Sequence, residues 1–320
     1  MTAAILPRVR FEQRLLVVHA NDPMVHDDVF NNLPAWFGPG DVLVVNDAAT
    51  LPASLPAGIA GTHAEIRLVG PPEDGWVVLF GPGSWRQATE DRAAPPRVAV
   101  DEPITVAGDS RPVLEVSSIS PRLVRIHLTL REVLEHGRPV QYSYVPRPLT
   151  LAEVQTPYAA RPWSTEMPSA GRVLTAPLIA ALRARGAKVV SLTHAAGLSS
   201  TGDPALDAAL PLPERYDIPP ATWQAVRAAT RVIAVGTSVT RALESAVDGS
   251  LNGVTSLRIG PRTSLRVVDA LLSGMHEPGE SHFQMMAAFI DLDDLRNAVD
   301  HATQQGYRNH EFGDSTLLFR

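Results

Sequence analysis

"RVIAVGTSVTRALESA", residues 231–246, sets an apolar, β-branched run against a glycine, two small hydroxyl residues and then helical spacing. Val232–Val235 reads as a strand, Gly236 as the turn and Thr237 onward as a helix. Arg241, Glu244 and Ser245 fall at i, i+3 and i+4, so they share one helix face. Strand–glycine–helix is the building unit of α/β sheets, whose ligands gather where strands end and helix N-termini begin. Gly236, Thr237 and Ser238 hold that position, where backbone N–H groups and two hydroxyls suit a carboxylate or a ribose. The plainer reading of the same residues is a capped helix with a solvated Arg–Glu pair.

The unit recurs on both sides. "LTAPLIAALRARGAKVVSLTH" (174–194) places apolar residues at Leu174, Leu178, Ile179 and Leu182, then Gly186, then a β-branched run. That order predicts helix, C-terminal glycine, strand. "PPATWQAVRAATRVIAVG" (219–236) repeats it, with Pro219 and Pro220 opening the helix. "GDVLVVNDA" (40–48) reads as a buried strand running into a polar turn. "SHFQMMAAFI" (281–290) and "DLRNAVDHATQQG" (294–306) read as helices, and "STLLFR" (315–320) as a last strand. Between about 60 and 130 helical periodicity is nearly absent. "HAEIRLVG", "GWVVLFGPG", "RVAV", "ITVAGDSRPVLEV" and "RLVRIHLTL" are short β-like runs parted by Gly, Pro and Asp turns, as in a small barrel. The predicted class is α/β: a mixed, largely parallel sheet with helices, interrupted by a small inserted β-barrel domain. Residues 1–58 and 150–320 would form the α/β domain carrying the site, and 59–149 the insert.

The totals narrow the function. At 320 residues with 45% apolar content, the chain can bury a large core. No cysteine is present, which excludes disulfides, thiolate zinc sites and a cysteine nucleophile. No apolar run approaches a membrane span, and "MTAAILPRVRFEQ" lacks the zones of a signal peptide, so a cytoplasmic protein is expected. A net charge of −6 argues against non-specific nucleic-acid binding, though a local basic patch remains compatible with it. Neither G-x-G-x-x-G nor a Walker lysine occurs, so dinucleotide and P-loop binding lack support.

Several segments carry candidate chemistry. "VSLTHAAGLSSTGD" (190–203) ends a strand at His194 and opens into small residues. A histidine there suits a base and equally a hydrogen-bonded structural role. "MHEPGESHF" (275–283) holds two histidines and two glutamates, but its spacing is not H-E-x-x-H and Pro278–Gly279 interrupts any helix. His276 is therefore read as a polar group at a site edge rather than a metal ligand. "EVQTPYAARPWSTEMPSAGR" (153–172), with Tyr158, Trp163 and Arg172, has the length and polarity of a binding loop or an ordered connection. Asp47 suits a ligand hydroxyl or an Asx-type turn.

Taken in order, these segments resemble the S-adenosylmethionine:tRNA ribosyltransferase-isomerases of queuosine biosynthesis. "RLLVV" (14–18) and "GDVLVVND" (40–47) are similar to that family's opening strand and its G-D-L-L-V-x-N-D. "VQTPYA" (154–159) resembles Y-Q-T-V-Y-A, "PSAG" (168–171) P-T-A-G, and "THAAGLSS" (193–200) L-H-V-G-x-G-T. "IAVGTSVTRALES" resembles I-A-V-G-T-T-S-V-R-x-L-E-S, and "VVDALLSGMHEPGESHFQMMAAF" tracks V-D-x-L-x-T-N-F-H-L-P-x-S-T-L-x-M-L-x-x-A-F. "FGDSTLL" resembles F-G-D-A-M-L.

The resemblance implies an α/β domain interrupted by a β-barrel, and S-adenosylmethionine as a co-substrate that donates ribosyl, with no metal. The acceptor would be the aminomethyl group of a 7-deazaguanine in tRNA. Proton loss beside the sulfonium, attack and rearrangement would release adenine and methionine. By resemblance His194 and His276 are the two candidate bases. Gly236, Thr237 and Arg241 would hold the sulfonium substrate, with Glu244 and Ser245 fixing the helix or ribose. Asp47, Gln155, Thr156, Tyr158 and Arg172 complete the substrate-binding set.

The departures bear on the acceptor. Ala49 and Ser54 stand where arginines are expected, "PSAGRVLT" loses a histidine at Arg172–Val173–Leu174, and "LPER" (212–215) keeps Glu214 but not a neighbouring histidine. N-F-H-L-P-x-S-T reads "GMHEPGES", which adds Glu277. The segment rich in Pro, Ala and Gln that leads into R-L-L-V is mostly missing. Fewer cations and an added acid count against a phosphate-rich acceptor. The alternatives are a small-molecule acceptor or none, and a non-catalytic nucleoside-binding paralogue; self-association is not legible.

Overall fold

The computed structural model describes residues 1–7, 13–20, 22 and 24–320. Residues 8–12, over which the leading segment would reach the first strand, lie outside the described residues. Residues 231–246 fold as strand Arg231–Val235, Gly236 and helix Thr237–Ser245. Gly236 has φ +86°, a conformation that only glycine adopts without strain.

Nine strands make the central sheet. Their order is Asn252–Thr255, Glu214–Asp217, Lys188–His194, Asp41–Asn46, Arg231–Val235, Ala270–Gly274, Ser315–Phe319, Arg14–His19 and Val25–Val29. The four from Lys188–His194 to Ala270–Gly274 run parallel, as the helix–strand alternation predicts. Four of the eight pairings are parallel, so the sheet is mixed and less parallel than expected. The antiparallel pairings lie towards the flanks. There Arg14–His19 and Val25–Val29 are too close in sequence for a crossover and must pair antiparallel.

The pleat explains why the middle strands are apolar throughout. Along Asp41–Asn46, Val42 and Val44 pack into one core with the helices Thr237–Ser245 and Leu292–Gln304. Leu43 and Val45 enter a second core with Phe30, Leu33, Leu178 and Leu182. Arg231–Val235 divides the same way, Val232 and Ala234 against Ile233 and Val235. A strand covered on both faces loses alternation and reads as a continuous hydrophobic run. Helix Ala176–Ala184 starts where Thr175 accepts the Leu178 N–H, and Gly186 at φ +91° ends it.

The second sheet is antiparallel and curled. Its order is Asp109–Pro112, Pro103–Val106, Ser54–Ile59, Thr62–Leu68, Trp76–Phe80, Leu123–Arg125 and Glu115–Val116. Leu55, Ile66, Leu79, Ile104 and Val124 meet in one core, closed by Val133 of helix Leu130–His136. Among the described residues the two end strands do not pair with each other, so the sheet is an open half-barrel. "RVAV" (97–100) is not a strand, whereas Ser54–Ile59 is, and it lies on the α/β side of the division expected at residue 59. Pro56 and Gly58 hide that strand from a propensity reading. No helix among the described residues is long and apolar enough to cross a membrane.

Leu43 is fully buried within strand Asp41–Asn46. Leu43→Ala should lower unfolding free energy by about 2–5 kcal/mol in urea titration, the range for a cavity left by a buried leucine.

Candidate functional site

Because the four middle strands are parallel and in close register, their carboxyl ends form one rim. That rim carries Asn46–Asp47, His194, Gly236 and the strand end at Gly274 with His276 just beyond it. Asn46 joins two of the ends. Its carboxamide oxygen accepts the His194 and Ala48 N–H groups at 2.9 and 3.0 Å. Its amide donates to the His194 carbonyl at 2.9 Å and to Ser238 Oγ at 3.4 Å. Asp47 accepts from Thr193 Oγ1 at 2.6 Å, and its carbonyl takes the Ala160 N–H. Gly236 receives the Thr240 N–H, and Thr237 is half-buried at the first helical position.

His194 is completely enclosed, and neither ring nitrogen has a hydrogen-bond partner. Its Nε2 lies 3.4 Å from Glu214 Oε2. Burial, with the nearby Arg241 charge adding, pushes its pKa down to about 3, so the ring is neutral. Glu214 is pushed up by burial while Arg241 opposes the shift. Arg241 is buried against protein: Nη1 donates to Glu214, and Nε donates to the Leu257 carbonyl at 2.9 Å. Ser245 Oγ donates to the Arg241 carbonyl at 2.7 Å and lies 2.6 Å from Thr255 Oγ1. Glu244 accepts the N–H groups of Arg266, Val267 and Val268, each at 2.9 Å. The Arg241, Glu244 and Ser245 side chains therefore fix the helix and two loops instead of lying solvated.

His276 is half-buried at the same rim. Its Nδ1 lies 3.1 Å from Glu280 Oε2 and its Nε2 3.3 Å from Ser273 Oγ. The ring stacks on His282 at 4.7 Å between centroids and 16° between planes. Glu277 turns elsewhere, accepting from the Met1 amine at 2.8 Å and from Asn309 at 3.0 Å. No group of three or more acidic or histidine side chains among the described residues is placed to hold a metal ion.

The loop residues brace the rim. Gln155 accepts the Thr50 N–H at 2.9 Å and donates to the Thr50 carbonyl at 2.8 Å. Thr156 is buried, and its hydroxyl has no hydrogen-bond partner. Tyr158 donates to the Gly171 carbonyl at 3.2 Å, and burial, with the nearby Asp47 charge adding, raises its pKa. Arg172 is buried with its guanidinium 5.2 Å from the Phe312 ring centroid. Beside these lies a narrow cavity lined by Thr50, Tyr142, Tyr144, Glu166, Glu311 and Phe312. Burial lifts Glu166 to about 7, although the Tyr142 hydroxyl and Ser199 N–H donate to it.

Asn46, Ser273, Glu280, His282 and Glu166 were not singled out from the sequence. Only Asn46 carries a usable local signal, a carboxamide closing an apolar strand. The others depend on loops folding back onto strand ends.

The site and fold are those of a mixed α/β protein with a rim of polar strand ends beside a curled antiparallel sheet. The profile of the family described as queuosine biosynthesis protein matches residues 2–318. An S-adenosylmethionine:tRNA ribosyltransferase-isomerase of Thermus thermophilus is 34% identical over 328 residues, 95% of this chain and 92% of that protein. The enzyme of the same name from Acidiphilium cryptum is 32% identical over 337 residues, covering 99% and 95%. The crystal structure of S-adenosylmethionine tRNA ribosyltransferase from Thermotoga maritima aligns over 99% of this chain and 95% of its own. Its TM-score is 0.54 at 23% identity, a likeness of fold. The chain belongs to the queuosine biosynthesis protein family.

The enclosed histidine has a pH consequence. An unfolded histidine titrates near 6.5, and His194 is pushed to about 3. Between those values the unfolded chain binds more protons, so this contribution to stability falls as pH drops. The stability gap between wild type and His194→Leu should therefore shift against the wild type from about pH 6.5 towards pH 3. Urea titrations across that range measure it; a constant gap would contradict a neutral, enclosed ring.

Proposed function

We propose that this chain transfers and isomerises the ribosyl group of S-adenosylmethionine onto 7-aminomethyl-7-deazaguanine in tRNA, releasing adenine and methionine. The family match over residues 2–318 carries the reading. It is supported by relatives at 32–34% identity that align over nearly the whole of both chains. S-adenosylmethionine is a substrate, and no metal is assigned.

The reaction needs a base for the proton beside the sulfonium, which the positive sulfur acidifies. We assign that role to His276, which is reachable from the rim and has hydrogen-bond partners at both ring nitrogens. A base must come within hydrogen-bond reach of the proton it takes, and the full enclosure of His194 favours a supporting role for it. With Glu214 and Arg241 it forms the floor of the rim. The Gly236 turn, Thr237 and Asp47 are the groups assigned to the ribose and carboxylate of the donor. Arg241, Glu244 and Ser245 hold the helix that presents them, while Gln155, Thr156, Tyr158 and Arg172 brace the adjoining loops.

We also assign two units. The α/β unit comprises roughly residues 1–53 and 150–320 and the inserted one 54–149, because Ser54–Ile59 pairs within the antiparallel sheet. Ala49 and Ser54, in place of two arginines, leave fewer cations for a tRNA backbone and keep a small acceptor as the second reading. Ser54 instead donates to Glu65 at 2.9 Å within the antiparallel sheet.

Purified protein incubated with S-adenosylmethionine, with and without tRNA bearing the aminomethyl base, should release adenine and methionine only when that tRNA is present. Mass spectrometry follows both products. Release without tRNA would instead support the small-acceptor reading, and no release would overturn the assignment. His276→Ala should slow release by about 100-fold or more, the scale of general-base catalysis, while donor affinity by calorimetry stays unchanged.

A further inference from the structure

We infer that Glu280 is the positioning residue of His276: its carboxylate holds the ring as the Nδ1–H tautomer, leaving the Nε2 lone pair turned to the strand end at Ser273. This rests on the assignment of His276 as the base.

An ionised carboxylate only accepts hydrogen bonds. The 3.1 Å contact between Glu280 Oε2 and His276 Nδ1 therefore places a hydrogen on Nδ1. In a neutral ring Nε2 is then the acceptor, and Ser273 Oγ at 3.3 Å is placed to donate to it. Burial opposes ionisation of Glu280, but the bond and charge of His276 prevail and its pKa is lowered. The plane of the ring is fixed separately by the stack on His282. Burial pushes His282 down to about 3, with His276 and Arg241 adding, so it is a neutral wall that does not compete for Glu280. Glu277, the nearer acid in sequence, is engaged with Met1 and Asn309.

The contact is produced by the backbone. Gly279 at φ +101° reverses the chain after Pro278, and Glu280 returns onto the residue four before it without an intervening helix. In the N-F-H-L-P-x-S-T-L pattern, serine stands at the position of Glu280 and leucine at that of His282. The carboxylate and the stacked ring are thus features of this chain. An imidazolium formed when Nε2 takes a proton would lie beside a carboxylate already in place, the arrangement by which an acid orients a catalytic histidine.

The test compares Glu280→Ala, Glu280→Gln and Glu280→Asp with wild type and His276→Ala. It measures kcat and KM for S-adenosylmethionine, and the ring-nitrogen tautomer by 15N NMR. Glu280→Ala should lower kcat by about 10- to 100-fold with KM within about twofold, as expected for loss of a group acting through the base. Glu280→Gln, which still accepts from Nδ1 but carries no charge, should fall between, and Glu280→Asp should recover part of the loss. The Nδ1–H signature of His276 should be present in wild type and lost in Glu280→Ala. A dead His276→Ala beside an unaltered Glu280→Ala, in rate and tautomer, overturns this inference alone. A His276→Ala protein with the wild-type rate overturns the base assignment and this inference with it. Equal changes in kcat and KM with an unaltered tautomer would also overturn it, as a structural effect.

Discussion

The side-chain amide of Asn46 is the joint on which the rim depends. It lies where strand Asp41–Asn46 stops, fully buried, and uses both ends of its carboxamide on the His194 backbone. Two parallel strands that merely ended side by side would leave N–H and C=O groups unpaired out of reach of water. Each such group costs about 1–3 kcal/mol. The carboxamide continues the ladder for one more residue and then releases the chain at Asp47. His194 is thereby held level with Asn46, and Ser238, just past the Gly236 turn, is tied to the same amide at 3.4 Å.

Beneath that joint the polar groups sort by how far water reaches them. Glu214 and Arg241 form a buried pair whose remaining bonds go to the Gly197 N–H and to the Leu257 and Thr255 carbonyls, so little of either is left for a ligand. Such a pair contributes modestly to stability but becomes costly when one member is removed, since the other stays buried and charged. His194 remains neutral beside it. Towards the surface, His276, Glu280 and Thr237 keep partial access. Buried charge holds the frame, and half-exposed groups line the rim.

The antiparallel half-barrel contributes from the side. Glu65, whose carboxyl burial raises but Arg67 and Arg92 hold below the usual range, anchors the face opposite its apolar core, next to the Tyr142–Glu166 pair. Thr165 also donates to the Leu68 carbonyl at 3.2 Å, tying the half-barrel to the segment leading into the rim. The segment 151–175, irregular in sequence, is ordered by strand Arg161–Ser164, which pairs in parallel with Ala48–Thr50, and by Gln155, whose amide bonds both backbone groups of Thr50.

The sequence by itself determined the middle of the molecule. Continuous apolar runs mark strands covered on both faces, Gly186 and Gly236 mark the ends of a helix and a strand, and those signs placed Asp41–Asn46, Lys188–His194 and Arg231–Val235 correctly. The family was legible too, since ordered short motifs survive where local geometry constrains them. Tertiary structure alone decided the direction of the flanking strands, the open edge of the half-barrel and the membership of Ser54–Ile59, which Pro56 and Gly58 obscure. It also decided what the charged helix face does. Spacing shows that Arg241, Glu244 and Ser245 lie together, but only the packed chain supplies Glu214, the Leu257 carbonyl and the 266–268 backbone as partners. Glu280 and Glu277 look alike in sequence; the turn at Gly279 brings one to His276, and the Met1 amine and the Asn309 side chain engage the other.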